Sequence, residues 1–165
     1  VRLQSANVPL ADPMRRIGEL GGLSAVEGWQ AHGDLFRVGD QLFRFELLQE
    51  EEGATDAEGT QYFVSPVRKA SFRVLQILEG GAPGLASSTT SDELTLGGEG
   101  ANVAFTADEH LSTRHARISR SADGSFLLED TGSVNGTWIR LRKPSPLSHG
   151  DYLLLGREVL RVELT

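Results

Sequence analysis

From Ser71 onward, short apolar runs, some of them alternating with polar residues, are separated by Gly, Asp, Ser and Pro. A period of two over four to eight residues is the mark of a half-buried strand. The runs predict strands at Phe72–Leu78, Glu93–Leu96, Asn102–Phe105, Ala116–Arg120, Ser125–Glu129, Thr137–Leu141, Tyr152–Leu155 and Val159–Leu164. Asp123-Gly124 reads as a tight turn, and Gly80-Gly81-Ala82-Pro83-Gly84 as a loop. Short strands at this spacing, without a long amphipathic helix, predict an all-β chain built as a β-sandwich of about 100 residues.

The pattern also contains a repeat. HGDLFRVGDQLFRFEL at 32–47 returns as HGDYLLLGREVLRVEL at 149–164, 117 positions later (32 to 149). Each copy reads as a β-hairpin, with turns at Gly39-Asp40 and Gly156-Arg157. Upstream, Val1-Arg2-Leu3 with Pro9-Leu10 resembles Ile139-Arg140-Leu141 with Pro146-Leu147. Pro9 and Pro146 lie 137 positions apart, so the first copy carries 20 extra residues (137 − 117), near 11–30. Asp12 as N-cap, Pro13 at the first helical position and Met14, Ile17 and Leu20 at helical spacing predict a short helix there, stopped by Gly21-Gly22. Residues 49–61 hold Glu50, Glu51, Glu52, Asp56 and Glu58 and no aliphatic side chain larger than alanine, so 49–70 reads as a solvated linker. The expected organisation is a partial β repeat at 1–48, the linker, and a sandwich at 71–165.

Composition narrows the function classes. With 16 Lys+Arg against 23 Asp+Glu, the chain carries a net charge of −7, which argues against nucleic acid or an anionic membrane as partner. The absence of cysteine excludes disulfides, thiolate catalysis and sulfur-ligated zinc. No apolar run approaches the roughly 18 residues of a membrane span, and Val1 opens no signal-peptide pattern; the expected compartment is the cytoplasm.

Small polar residues and arginine concentrate in three loops: Gly97-Gly98-Glu99-Gly100, Ser112-Thr113-Arg114-His115 and Gly132-Ser133-Val134-Asn135-Gly136-Thr137. The order Leu96-Gly97, Ser112-x-x-His115-Ala116, Asp130-x-Gly132-Ser133-x-Asn135-Gly136-Thr137-Trp138, Gly150-Asp151 and Gly156 resembles the forkhead-associated (FHA) domain across 71–165. The resemblance implies an eleven-stranded β-sandwich that recognises phosphothreonine peptides, substrates of Ser/Thr kinases, through loops at one end. Residues 1–48 then resemble the C-terminal part of a second such unit. The resemblance assigns phosphopeptide binding to Ser112, Thr113, Arg114 and Asn135, and loop-structural roles to Gly97, His115 and Gly136. The chemistry is apt. A phosphate needs converging donors, which two hydroxyls and a guanidinium supply, and an amide can both donate to and accept from a peptide backbone. The family normally places an arginine where this sequence has Gly98, which implies weakened affinity; the alternative is a degenerate FHA unit that binds its partner without phosphate.

Other chemistries are poorly supported. Asp108, Glu109, His110 and His115 can be drawn as a metal set, and Ser112, His115 and Asp108 as a triad, but there is no Gly-x-Ser-x-Gly elbow and no nucleotide loop around Lys69 or Lys143. Asn135-Gly136-Thr137 is formally a glycosylation sequon and also an ordinary tight turn. The expectation is a non-enzymatic signalling or scaffold module with no cofactor and no metal. The sequence leaves its oligomeric state open.

Overall fold

The computed structural model describes residues 14–16, 32–48, 70–142 and 144–164. These form twelve strands: β1 (Met14–Arg16), β2 (Leu35–Val38), β3 (Gln41–Leu47), β4 (Phe72–Ile77), β5 (Pro83–Thr89), β6 (Glu93–Gly97), β7 (Val103–Ala104), β8 (Ala116–Arg120), β9 (Phe126–Asp130), β10 (Thr137–Arg140), β11 (Tyr152–Leu155) and β12 (Glu158–Arg161). One sheet has the order β12-β11-β1-β10-β2-β3-β4-β5, and the other β7-β6-β8-β9. The all-β expectation holds.

The two sheets face each other across one apolar core. Phe36, Val38, Phe43, Phe45, Phe72 and Val74 come from the large sheet, and Leu94, Leu96, Val103, Ala116, Ile118 and Leu128 from the small one. Alternation produces this directly, because inward residues of β2 and β3 are buried while Arg37, Arg44 and Glu46 between them are not. Phe45 stacks on Phe72 at 5.4 Å, and Phe126 of the opposite sheet lies 5.1 Å from each of them. Phe36 stacks on Phe43 at 5.4 Å. Such aromatic pairs add directional attraction to the area they bury.

The two repeat copies form hairpins with the same hydrogen-bond frame. In the first, Gly33 N donates to Phe45 O at 2.7 Å, Phe45 N to Asp34 O at 2.9 Å, and Leu47 N to His32 Nδ1 at 3.1 Å. In the second, Gly150 N donates to Val162 O at 2.8 Å, Val162 N to Asp151 O at 2.7 Å, and Leu164 N to His149 Nδ1 at 3.1 Å. Their positions differ. The β2–β3 hairpin lies inside the large sheet between β10 and β4, whereas β11–β12 forms one end of it, with Val159 and Leu160 53% and 44% exposed.

Two local expectations change. Met14–Arg16, placed in a helix by the spacing of Met14, Ile17 and Leu20, form a strand instead. Backbone pairing with β10 on one side and β11 on the other outweighs the local periodicity. The remainder of the expected insert, the Val1-Arg2-Leu3 match and the linker at 49–69 lie outside the described residues. Strand β5 is an addition: its small polar sequence hides an edge strand, which begins at Pro83, where a missing N–H costs least. Among the described residues no helix is long and apolar enough to cross a membrane.

Candidate functional site

The three loops singled out in the sequence meet at one end of the small sheet, the first joined to the second by backbone and the second to the third through side chains. Gly97 packs so closely under the second loop that a Cβ there would overlap the Thr113 carbonyl oxygen. Gly98 N donates to Ser112 O at 3.0 Å. A Cβ at Gly98 would meet Thr113 Cα at 3.4 Å, an ordinary contact, so this position has room for a side chain root beside Thr113.

His115 ties the second loop to the third. It is fully buried; its Nδ1 accepts from Ser112 N at 3.2 Å and its Nε2 lies 3.0 Å from the Gly136 carbonyl. An acceptor at Nδ1 and a carbonyl at Nε2 require the neutral Nε2–H tautomer. Burial pushes its pKa below the ordinary 6.5, against the opposing pull of the Gly136 carbonyl and the Asp130 charge. Ser112 Oγ accepts from Val134 N at 3.2 Å, and Asn135 Nδ2 donates to the His110 carbonyl at 2.9 Å. Ser112 and Asn135 are thus loop staples before any ligand arrives. The triad drawn from sequence does not assemble, because His115 meets the Ser112 backbone rather than its hydroxyl.

Asp130 shapes the third loop, a role not read from the sequence. Its carboxylate accepts from Gly132 N at 3.0 Å, Ser133 N at 2.8 Å, Ser133 Oγ at 2.6 Å and Thr137 Oγ1 at 2.8 Å. Burial alone would raise its pKa, and the bonds from Ser133, Thr137 and Gly132 outweigh that and lower it. Ser133 Oγ in turn accepts from Gly136 N at 2.8 Å. Gly136 has φ of +79°, and the Arg16 side chain lies against it where a Cβ would stand. The Trp138 indole donates to Asn135 O at 3.2 Å, anchoring the loop to the second apolar cluster.

The N-terminal hairpin props the second loop from below. Asp108 Oδ2 accepts from Asp40 N at 3.0 Å and from Gln41 Nε2 at 2.8 Å, and Asp108 Oδ1 accepts from His110 N at 2.9 Å. Burial works against ionisation of Asp108, and these bonds overcome it, so its pKa is lowered. Asp40, Asp108 and His110 bring three candidate ligand atoms within 4.8 Å. This set differs from the metal set drawn from sequence, since both nitrogens of His115 are engaged elsewhere. Asp40 is paired with Arg37 at 2.6 Å and with His110 at 3.1 Å, so the cluster serves as a staple between hairpin and loop.

What remains for a ligand is a short polar ledge. Thr113, Arg114 and Asn135 are exposed and Ser112 is partly so. Arg114 makes no ion pair among the described residues, in contrast to Arg117, whose Nε bonds Glu129 at 2.9 Å. Beside them Val134, 82% exposed, presents an apolar side chain between Ser133 and Asn135. It went unremarked in the sequence because a lone valine carries no pattern.

The profile of the FHA domain matches residues 94–156, which contain all three loops. The chain is 34% identical over 121 residues to an oxoglutarate dehydrogenase inhibitor of Corynebacterium diphtheriae, covering 70% of this chain and 81% of that protein. It is 31% identical over 72 residues to the FHA domain-containing protein FhaB of Mycobacterium tuberculosis, covering 44% of this chain and 46% of that one. No solved structure matches.

Proposed function

Because the chain belongs to the FHA-domain family, whose members are non-catalytic modules that bind phosphorylated proteins, we propose that it recruits a phosphothreonine-bearing protein through Ser112, Thr113, Arg114 and Asn135. The observation that carries this reading is the convergence of an arginine that makes no ion pair among the described residues and exposed hydroxyl and amide groups on loops already stapled in place by His115 and Asp130. Preorganised donors lose little freedom on binding. The name of the Corynebacterium relative, an inhibitor of a dehydrogenase, supports a protein rather than a small molecule as partner. Within the cell the partner is a substrate of a Ser/Thr kinase, met in the cytoplasm.

Gly98 sets the strength of this interaction. A charge-assisted hydrogen bond contributes about 1.5–3 kcal/mol, so lacking the family's arginine costs roughly ten- to a hundredfold in affinity. Calorimetry against a degenerate phosphothreonine peptide pool and its unphosphorylated twin tests the reading. Weak binding that requires phosphate, and that strengthens in Gly98→Arg, is the expected result. Equal binding of both pools would instead establish the second reading, a phosphate-independent interaction module, which the glycine at position 98 favours.

A further inference from the structure

We propose that the two repeated hairpins are interchangeable occupants of one slot in the large sheet, and that the chain exchanges them. In this structure each hairpin sits on the strand that precedes the other. β10, which leads into β11–β12, holds β2–β3 with Trp138 opposite Arg37 and Ile139 opposite Phe36. β1, which leads towards β2–β3, holds β11–β12 with Met14 opposite Leu154 and Arg15 opposite Leu153. Leu154 and Leu153 stand 117 positions after Arg37 and Phe36, so both pairings use one register. β1 and β10 also pair with each other, Arg15 opposite Ile139 and Met14 and Arg16 opposite Arg140 and Trp138. The six strands β12-β11-β1-β10-β2-β3 therefore have a local two-fold relation about the Arg15–Ile139 pair. A symmetric sheet of this kind can trade its hairpins and keep its ladders.

The side chains show which occupant the slot prefers. At the inward positions Phe36, Val38, Phe43 and Phe45, the second copy carries Leu153, Leu155, Leu160 and Val162. These are apolar, so the second hairpin fits a core, but they lack the rings that stack on Phe72, Phe105 and Phe126. The N-terminal hairpin holds the slot, and the C-terminal one waits at the edge with apolar residues in water, which soluble sheets ordinarily avoid. Exchange also changes what lies under the ligand loops. Asp40 and Gln41, which bond Asp108, give way to Arg157 and Glu158, placing a guanidinium beside Asp108 and His110.

The absence of native cysteine makes a direct test possible in the full chain. Glu46 lies opposite Arg73 across β3 and β4, and Glu163 is its counterpart in the second copy. R73C/E46C reports the arrangement seen here. In R73C/E163C, Arg73 lies on β4 and Glu163 just beyond the end of β12, strands six ladder spacings apart in sheet order, about 29 Å, far beyond disulfide reach unless the hairpins trade places. Under mild oxidation at low protein concentration, R73C/E46C is expected to close at once and R73C/E163C to close slowly, both as monomers. Adding Phe45→Val, which gives the first hairpin the residue of the second, is expected to accelerate closure of R73C/E163C at least about tenfold. Exchange is refuted if R73C/E163C stays reduced in both backgrounds while R73C/E46C closes. Products linked only between chains would overturn exchange within one molecule and show a swap between copies.

Discussion

A methyl group at Gly97 would overlap the Thr113 carbonyl, while one at Gly98 would make only an ordinary contact, so packing requires glycine at the first position and not at the second. Gly97→Ala is expected to lose about 1–3 kcal/mol in denaturant unfolding, and Gly98→Ala about 0.5 kcal/mol or less. His115 adds a pH dependence. Its folded pKa is lowered, so below the ordinary 6.5 the unfolded chain binds more protons than the folded one. The stability it contributes is complete above 6.5 and is lost as pH falls towards the lowered value. Melting at about pH 7.5 and about pH 5.5 should show a fall that is smaller in His115→Gln; an equal fall in both would place the acid sensitivity elsewhere. Val134, exposed among polar staples, is expected to touch the ligand. Val134→Asp should weaken phosphopeptide binding about tenfold with no change in melting temperature, through repulsion of the phosphate and loss of apolar contact.

At the scale of elements, strands with strict alternation and bulky inward residues could be read directly. β8 and β11 have the bounds that their sequences suggest: Ala116–Arg120 alternates, and Tyr152–Leu155 is a continuous apolar run between Gly150-Asp151 and Gly156. β5 could not be read this way, since Pro83–Thr89 buries little and is held by pairing with β4. β1 is the sharper lesson: three residues cannot show a period, and their conformation comes from two neighbouring strands that arrive from far along the chain. The hairpins were legible as a repeat, but sheet order was not, because two similar hairpins satisfy the same pattern. The aromatic cluster breaks that degeneracy. Phe45→Ala is expected to cost about 3–5 kcal/mol in equilibrium unfolding, whereas Val162→Ala should cost under about 1.5 kcal/mol. Equal costs would contradict the present placement of the hairpins.

For the whole molecule, the central place of β2–β3 ties distant parts of the chain together: residues 35–47 join β10 to β4 and complete the sandwich that carries the loops. If the second hairpin can fill the same slot, a chain spanning 71–165 is expected to melt cooperatively, and one spanning 71–148 should not, as calorimetry would show. The site was legible to the extent that it resides in sequence-local loops. Its support by Asp108, Asp40 and Gln41 was not, because that contact depends on which hairpin lies beneath. Trp138 stands where these scales meet, on β10 between β1 and β2, with its indole bonded to the carbonyl of Asn135. The molecule therefore contains its own optical probe. Movement of the ligand loop, or a change of hairpin beside β10, alters the environment of that indole, so in a Trp29→Phe background both events can be followed by its emission without adding a dye.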